Sequence, residues 1–221
     1  EAQKDVLVNP GQRIPLIGIK AGNPNSKGML LNDVGVLTED FSDVDLERVK
    51  ALLMTAEAER MHYLKAMTED VSGRVKEVYA FNDMNFFRTA SQCGAYRVVI
   101  DTYEHIKRSL GDGILFSTSQ GSTAYNLTAG GTVATQREAL IMTGLNSRDI
   151  KSMMMSDDTV IEVEALETEK RPQRLEADGQ PVIDNIKKAT FLTAKRVFSD
   201  LKFDPNQPFR HKLIGEALKT N

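Results

Sequence analysis

The stretch LGDGILFSTSQGSTAYNLTAGG (110–131) places five glycines and six serine or threonine hydroxyls around a short apolar run. Its order predicts a strand over GILFST, a tight turn over SQG, and a helix whose N-cap is Ser122 or Thr123. Such a junction directs unpaired backbone N–H groups to one place, where glycines let a ligand approach the main chain closely. Two interpretations fit these residues: a capped turn, or a binding site for a polar ligand such as a nucleotide.

The composition indicates an ordinary globular protein of 221 residues, 41% of them hydrophobic and 27% charged. A formal charge of −3 without basic clusters disfavours nucleic acids and anionic membranes as partners. The single Cys93 excludes an intramolecular disulfide, which suits a reducing compartment. The histidines show no metal-ligand spacing, so we expect no protein-bound metal site. The single cysteine, with no run of about 20 apolar residues, leads us to expect a cytoplasmic protein.

The first part of the chain has an α/β pattern. IPLIGI (14–19) is typical of a buried strand, and the segment 21–28 is a loop by its glycine, proline and asparagine content. Residues 43–58 have the spacing of an amphipathic helix, with Asp43 as its cap and Met54 at the edge of its apolar face.

After residue 60 the pattern changes to short alternating segments bounded by glycine, aspartate and asparagine, which predicts β-structure. Helical spacing over 122–131 and 134–144 interrupts these segments. A strand over 188–197 and a helix over 208–220 are expected at the end. We therefore predict an N-terminal α/β remnant (1–59), a β-rich domain (60–187) and a tail (188–221) that returns to the N-terminal part.

Two further short motifs carry polar side chains at element ends. Asn82-Asp83 follows a predicted strand, where an amide and a carboxylate can hold the vicinal hydroxyls of a ribose. An Asx turn is an equally good interpretation of that pair. Ala177-Asp178-Gly179-Gln180 has the composition of a type I′ hairpin turn.

Taken together in this order, the motifs at 82–83, 111–131 and 177–180 resemble those of the NAD kinase family. The central stretch is similar to that family's block, which has the form GDG-strand-STPTGSTAYSLSAGG. Asn82-Asp83 stands where the family has an Asn-Glu or Asn-Asp pair, and ADGQ matches its Asp-Gly-Gln turn. The resemblance extends over nearly the whole chain, with its specificity concentrated in these three motifs.

The resemblance implies a two-domain fold, with an N-terminal α/β domain and a β-sandwich-like C-terminal domain that holds NAD. It implies transfer of a phosphoryl group from ATP or polyphosphate, with Mg²⁺, to the adenosine 2′-hydroxyl of NAD, which yields NADP. It also implies homodimers or homotetramers in which neighbouring subunits complete the dinucleotide sites.

The same resemblance implies a role for individual residues. Asn82 and Asp83 would hold the adenosine ribose, and Asp178 with Gly179 would lie near the diphosphate. Asp112 would contact the nicotinamide end, within the subunit or across a subunit boundary. Arg148, in LNSRDIK, corresponds to a polar segment that the family places beside the site. The walls of the adenine and nicotinamide pockets would be lined by Ser117, Thr123, Ala124, Tyr125 and Thr128.

The sequence departs from the family at the catalytic loop, because it contains no Gly-Gly-Asp-Gly. The family's aspartate in that loop is the expected general base, so we expect this chain by itself to bind NAD and to lack the catalytic step. DVLV (5–8) resembles the strand that leads into the loop, which favours a kinase from which a segment is missing. The alternative is a short relative that binds dinucleotides without catalysis, as a sensor or an assembly protein.

Overall fold

The computed structural model describes residues 15–20, 29–34 and 42–219. Two compact units divide the chain: residues 62–196 form one, and residues 1–61 with 197–221 form the other. The expected DVLV strand (5–8) and the loop 21–28 lie outside the described residues. The domain boundaries expected after residues 59 and 187 stay a prediction.

Short strands dominate the described residues, and none of the described helices has the length and apolar content that crossing a membrane requires. The helices are α1 (Asp43–Thr55), α2 (Tyr125–Thr128) and α3 (Phe209–Lys219), with a 3₁₀ turn at Gly121–Thr123. The strands are β1 (Leu16–Ile17), β2 (Glu57–Asp70), β3 (Val75–Ala80), β4 (Asp83–Arg88), β5 (Gly94–Ile100), β6 (Tyr103–Gly111), β7 (Gly113–Ser117), β8 (Leu140–Leu145), β9 (Met153–Met155), β10 (Ile161–Leu166), β11 (Gln173–Ala177), β12 (Gln180–Asp184) and β13 (Ile186–Phe203).

In the unit that contains both chain ends, a buried asparagine joins distant segments. Asn32 is fully buried; its Nδ2 donates to the carbonyls of Gly18, at 3.0 Å, and Lys202, at 2.9 Å. Its Oδ1 accepts from the backbone N–H of Asp204 at 2.8 Å. One side chain thereby satisfies backbone groups from both ends of the chain, beside the parallel pairing of β1 with β13.

The N-cap of helix α1 lies one residue earlier than the sequence indicated. Ser42, rather than Asp43, is the N-cap, and it forms a capping box with Asp45. The helix ends at Thr55, and Met54, which was expected at the edge of the buried face, is 88% exposed. The expectation for Met54 was therefore wrong.

The unit of residues 62–196 is a β-sandwich. One sheet has the strand order β3-β2-β13-β10-β5-β6, and the other has the order β12-β11-β4-β7-β8-β9. Their inner faces meet in a core of aromatic rings, where Phe116 stacks on Phe191 with centroids 3.8 Å apart. Phe86 makes edge contacts with Phe191 and Tyr96. The sandwich predicted for this part of the chain is confirmed.

Two helices expected inside the sandwich are not formed as predicted. Residues 134–144 contain no helix; their last five residues belong to β8, which pairs with β7. The conformation of this segment is determined by its pairing with a strand distant in sequence, and the local spacing of apolar residues gives no information about that pairing. The helix expected over 122–131 is reduced to the 3₁₀ turn and the single turn of α2.

Candidate functional site

The candidate site lies where the chain passes from one sheet of the sandwich to the other. Strand β3 belongs to the first sheet and β4 to the second, and Phe81 and Asn82 make the passage between them. Backbone groups at such a passage have no ladder partner of the usual kind, so other groups must satisfy them. Two loops, one from each side, perform this task.

The first loop is the hairpin turn between β11 and β12. Asp178 and Gly179 both have positive φ, 47° and 75°, as a type I′ turn requires. The carboxylate of Asp178 accepts from the backbone N–H groups of Phe81 and Asn82, at 2.8 and 2.7 Å. A longer bond of 3.3 Å joins it to the N–H of Asp83. The predicted hairpin turn is confirmed, and its aspartate holds the passage between the sheets.

The second loop is the turn that follows β7. Thr118 donates from its hydroxyl to the carbonyl of Phe81, at 2.8 Å, and from its backbone N–H to that of Asn82, at 3.0 Å. Gln120 donates to the carbonyl of Phe81 at 2.8 Å and to that of His62 at 2.7 Å. Gly121 packs so closely that an added Cβ would lie 2.0 Å from the carbonyl oxygen of Asn82. A glycine is required at this position by space rather than by φ.

A cavity of about 510 Å³ opens beside this passage. Asp83, the first residue of strand β4, lines the cavity, and so do residues of the segment that contains α2. The cavity brings together six of the residues predicted from the sequence, and four others that were not predicted. The lining residues are Asn82, Asp83, Asn85, Phe87, Ala124, Tyr125, Arg174, Glu176, Asp178 and Gly179.

Asp83 is the most perturbed group in the cavity. Its side chain is almost fully buried, and loss of solvation raises the pKa of its carboxyl from 3.8 to about 6. The negative charges of Asp178 and Glu176 raise that pKa further. At neutral pH the group is therefore an ionised, poorly hydrated carboxylate, which is a strong acceptor for hydroxyl donors.

Five residues predicted for the site do not line this cavity. Asp112 accepts from Arg88 at 2.6 Å and from Asn146 at 2.5 Å, and these bonds lower the pKa of its carboxyl. Ser117 is fully buried and donates to the carbonyls of Asn82 and Thr118. Thr123 makes only a 3.5 Å contact with a carbonyl of the turn. The other two, Thr128 and Arg148, are exposed.

Ser122 and Thr123 do not cap the helix, which corrects the sequence interpretation, since neither short helical segment has a side-chain N-cap. Ser122 instead donates to the carbonyl of Ser119 at 2.7 Å and accepts from the N–H of Ala134 at 3.1 Å. Asn126, which the sequence interpretation omitted, is fully buried and donates to two carbonyls and accepts from Thr143. These residues fix the loop that presents Ala124 and Tyr125.

The four lining residues missed from the sequence lie on two paired strands. Asn85 and Phe87 are on β4, and Arg174 and Glu176 are on β11. The register places Asn85 opposite Glu176, and Phe87 opposite Arg174. These residues alternate with apolar residues along their strands, and this alternation was the signal in the sequence. It does not show which face of the strands lines a cavity.

The arrangement can hold a polyhydroxylated ligand. The Asp83 carboxylate can accept two hydroxyl donors, the Asn82 amide can donate and accept, and the Tyr125 ring can cover an apolar surface. Among the described residues, no cluster of three or more histidine, cysteine, aspartate or glutamate side chains could hold a metal ion.

Comparison with known proteins gives consistent similarities. No family model matches the chain. It is 28% identical to an NAD kinase of Rickettsia bellii and 29% identical to one of Rickettsia prowazekii, over 93% of this chain and 76% of each relative. An NAD kinase of Hyphomonas neptunium is 27% identical over 86% of the chain and 75% of that relative.

Two solved structures share the fold. Yeast NADH kinase complexed with NADH has a TM-score of 0.67 and 21% identity, over 87% of this chain and 58% of the yeast chain. An NAD kinase from Archaeoglobus fulgidus in complex with ATP has a TM-score of 0.66 and 22% identity, over 94% of this chain and 74% of that one. This chain thus spans about three-quarters of the Rickettsia relatives and less than two-thirds of the yeast protein.

The contact between Gly121 and Asn82 yields a stability prediction. We expect Gly121→Ala to lower the free energy of unfolding by about 2–4 kcal/mol, because the new methyl group overlaps a backbone carbonyl that cannot move freely. Urea denaturation measures the change. Gly215→Ala, in α3, is the matched control: an added Cβ there meets nothing within 4 Å, and stability should be unchanged or slightly higher. Equal stability of the two variants would contradict the described packing.

Proposed function

We propose that this chain is a member of the NAD kinase family and that its sandwich binds NAD through the adenosine ribose at Asn82 and Asp83. The observation that carries the proposal is the buried carboxylate of Asp83 beside the Asn82 amide, in a cavity whose wall is Tyr125. A carboxylate and an amide together match the hydrogen-bonding capacity of a vicinal diol.

The proposed reaction is transfer of the terminal phosphoryl group of ATP to the 2′-hydroxyl of that ribose. A bond forms between the 2′-oxygen and phosphorus, the bond from phosphorus to the bridging oxygen of ADP breaks, and the hydroxyl proton is released. Such transfers depend mainly on positioning and charge stabilisation. We assign the acceptor side to this chain's described residues: Asn82 and Asp83 fix the ribose, and Asp178 fixes them in turn.

A second part of the proposal concerns the phosphoryl donor. ATP is the donor that the family and the ATP complex of the Archaeoglobus relative support, with polyphosphate as a second candidate. Mg²⁺ would accompany the donor and be held largely by its phosphates.

We also propose a cytoplasmic homodimer or homotetramer, in which Asp112 and Arg148 act on a neighbouring subunit's dinucleotide. Neither residue lines this chain's own cavity. Exposed apolar side chains, including Tyr103 at 72% and Met153 at 51%, give a partner subunit a surface to cover. Sedimentation equilibrium should show two or four chains at micromolar concentration, and Met153→Lys should shift the distribution towards fewer. A purely monomeric chain would contradict this assembly.

We expect Asp83→Asn to weaken NAD binding about 10- to 100-fold, because the hydroxyl donors lose a charged acceptor. Isothermal titration calorimetry measures the affinity, with Asp184→Asn, an exposed aspartate outside the cavity, as control. The same variant should be more stable than the parent at pH 8, by up to about 3 kcal/mol, because it removes a desolvated charge. Undiminished affinity in a folded Asp83→Asn protein would refute the ribose assignment.

The affinity for NAD should rise about tenfold between pH 5 and pH 7. With a pKa of about 6, the Asp83 carboxyl is mostly protonated at pH 5 and mostly ionised at pH 7, and the ionised form accepts both hydroxyls. The stability of the unliganded protein changes with pH in the opposite direction. Because the folded-state pKa is raised, the contribution of Asp83 to stability falls as the pH rises from about 4 to 6. Calorimetry across this range tests the first effect, and Asp83→Asn should flatten it.

A further inference from the structure

A second cavity, of about 290 Å³, opens in the same sandwich at the edge strands β6 and β9. None of the described residues that line it also lines the proposed NAD site. Most of its lining side chains are apolar, and three of them are methionines: Met142, Met153 and Met155. The role of this cavity is therefore a separate question from dinucleotide binding.

The three methionines lie side by side on one face of the second sheet. Strand β8 pairs with β9, and the register places Met142 directly opposite Met153. Met155 is two residues farther along β9, so its side chain lies on the same face as that of Met153. In such a ladder, opposite residues have Cβ atoms about 4.5–5.5 Å apart, and diagonal neighbours lie about 7–8 Å apart. Three flexible thioether side chains therefore come within reach of one point.

Core packing accounts for only one of these methionines. Met142 is 4% exposed and belongs to the buried core, whereas Met153 is 51% exposed and Met155 is only partly buried. An edge strand made of three methionines also departs from the β-branched and aromatic residues that strands favour. The cavity beside them is space that these side chains do not fill. A ligand that contacts thioether groups would use both the space and the side chains.

Thioethers select soft metal ions. A thioether sulfur is polarisable and uncharged, and it is a ligand for Cu(I) rather than for hard cations such as Mg²⁺ or Ca²⁺. Zinc and calcium sites need histidine, cysteine or carboxylate ligands, and the described part of the chain has no cluster of three or more of these. The ligand type at this cavity therefore points to a soft monovalent ion.

The charge around the cavity favours a cation. Two aspartates, Asp101 and Asp149, line it together with one lysine, Lys151. Asp101 accepts from the backbone N–H of Val160 at 2.8 Å, and Asp149 accepts from the hydroxyl of Ser109 at 3.0 Å. Because both carboxylates already accept a hydrogen bond within the protein, they contribute a favourable field rather than metal ligands.

We propose that Met142, Met153 and Met155 form a binding site for a soft monovalent metal ion such as Cu(I). The proposed phosphoryl transfer uses none of these residues, so the inference goes beyond the proposed function and does not depend on it. An ion held by both β8 and β9 would link the edge strand to its neighbour and stabilise the folded chain.

Isothermal titration with Ag(I), a redox-stable substitute for Cu(I), tests the site in chloride-free buffer. Every protein carries Cys93→Ser, because Cys93 is an exposed thiol that would itself bind either ion. The chain should bind one Ag(I) saturably, and Met153→Leu or Met155→Leu should weaken this binding about tenfold or more. Leucine keeps the volume and the apolar surface and removes the sulfur.

Met154→Leu is the matched control. Met154 lies between the two ligands on β9, but its side chain is on the other face of the strand and does not line the cavity. Its replacement should leave the affinity unchanged. In protein labelled with ¹³C at the methionine methyl groups, Ag(I) should shift the NMR signals of the three ligands together and leave that of the exposed Met54 in place.

Three results would overturn the assignment. The first is the absence of saturable Ag(I) binding by the Cys93→Ser chain. The second is an equal loss of affinity in Met154→Leu and Met153→Leu, which would show that a shared face does not matter. The third is Zn(II) binding as tight as Ag(I) binding, which would indicate nitrogen and oxygen ligands. Urea unfolding shows whether each variant is folded. NAD affinity should be the same in all of them, and its absence while Ag(I) still binds would count against the proposed function alone.

Discussion

The structure depends on how the backbone is satisfied where the chain passes between the two sheets at Phe81 and Asn82. The carboxylate of Asp178 accepts the N–H groups there, and the turn after β7 donates to the carbonyls. Because both loops close on the same two residues, the position of Asp83 at the start of β4 is fixed from two directions. An unsatisfied group at this passage would cost about 1–3 kcal/mol and would loosen the site.

In this arrangement the structural and the proposed binding roles of the motifs are compatible. Asp178 is a turn residue, as its positive φ requires, and its side chain also holds the proposed ribose pair in place. The stretch 110–131 divides in the same way. Thr118, Gln120 and Ser122 bond to neighbouring backbone, whereas Ala124 and Tyr125 face the cavity. The many hydroxyls in the stretch therefore serve mainly to pin a loop.

The sequence was sufficient for the features that local chemistry controls. The I′ turn at Asp178-Gly179, the strand over 113–117 and the terminal helix are confirmed, since turn composition and periodicity report them. Residues 140–144 were predicted as part of a helix and form a strand, because their pairing with β7 depends on residues far away in sequence. The helix expected over 122–131 is also shorter than predicted, and because α2 has a single turn its dipole is weak.

The residues of the candidate site could also be predicted only in part from the sequence. The resemblance to the NAD kinase family placed Asn82, Asp83, Tyr125 and Asp178 at one site, and these four residues line one cavity. The four lining residues on β4 and β11 could not be found this way, because which residues share one face of the sheet depends on the register of β4 against β11.

The raised pKa of Asp83 links the stability of the folded protein to its proposed binding of ligand. A carboxylate at 6% exposure, with two further carboxylates nearby, lies in an environment that opposes its charge when no ligand is bound. Two hydroxyl donors would replace the missing hydration of the carboxylate. They would lower the pKa of Asp83 towards its ordinary value, so ionisation of Asp83 and binding of a diol would favour one another. The unfavourable electrostatic environment of the unliganded site is thus relieved by a ligand that presents two neighbouring hydroxyl groups to Asp83.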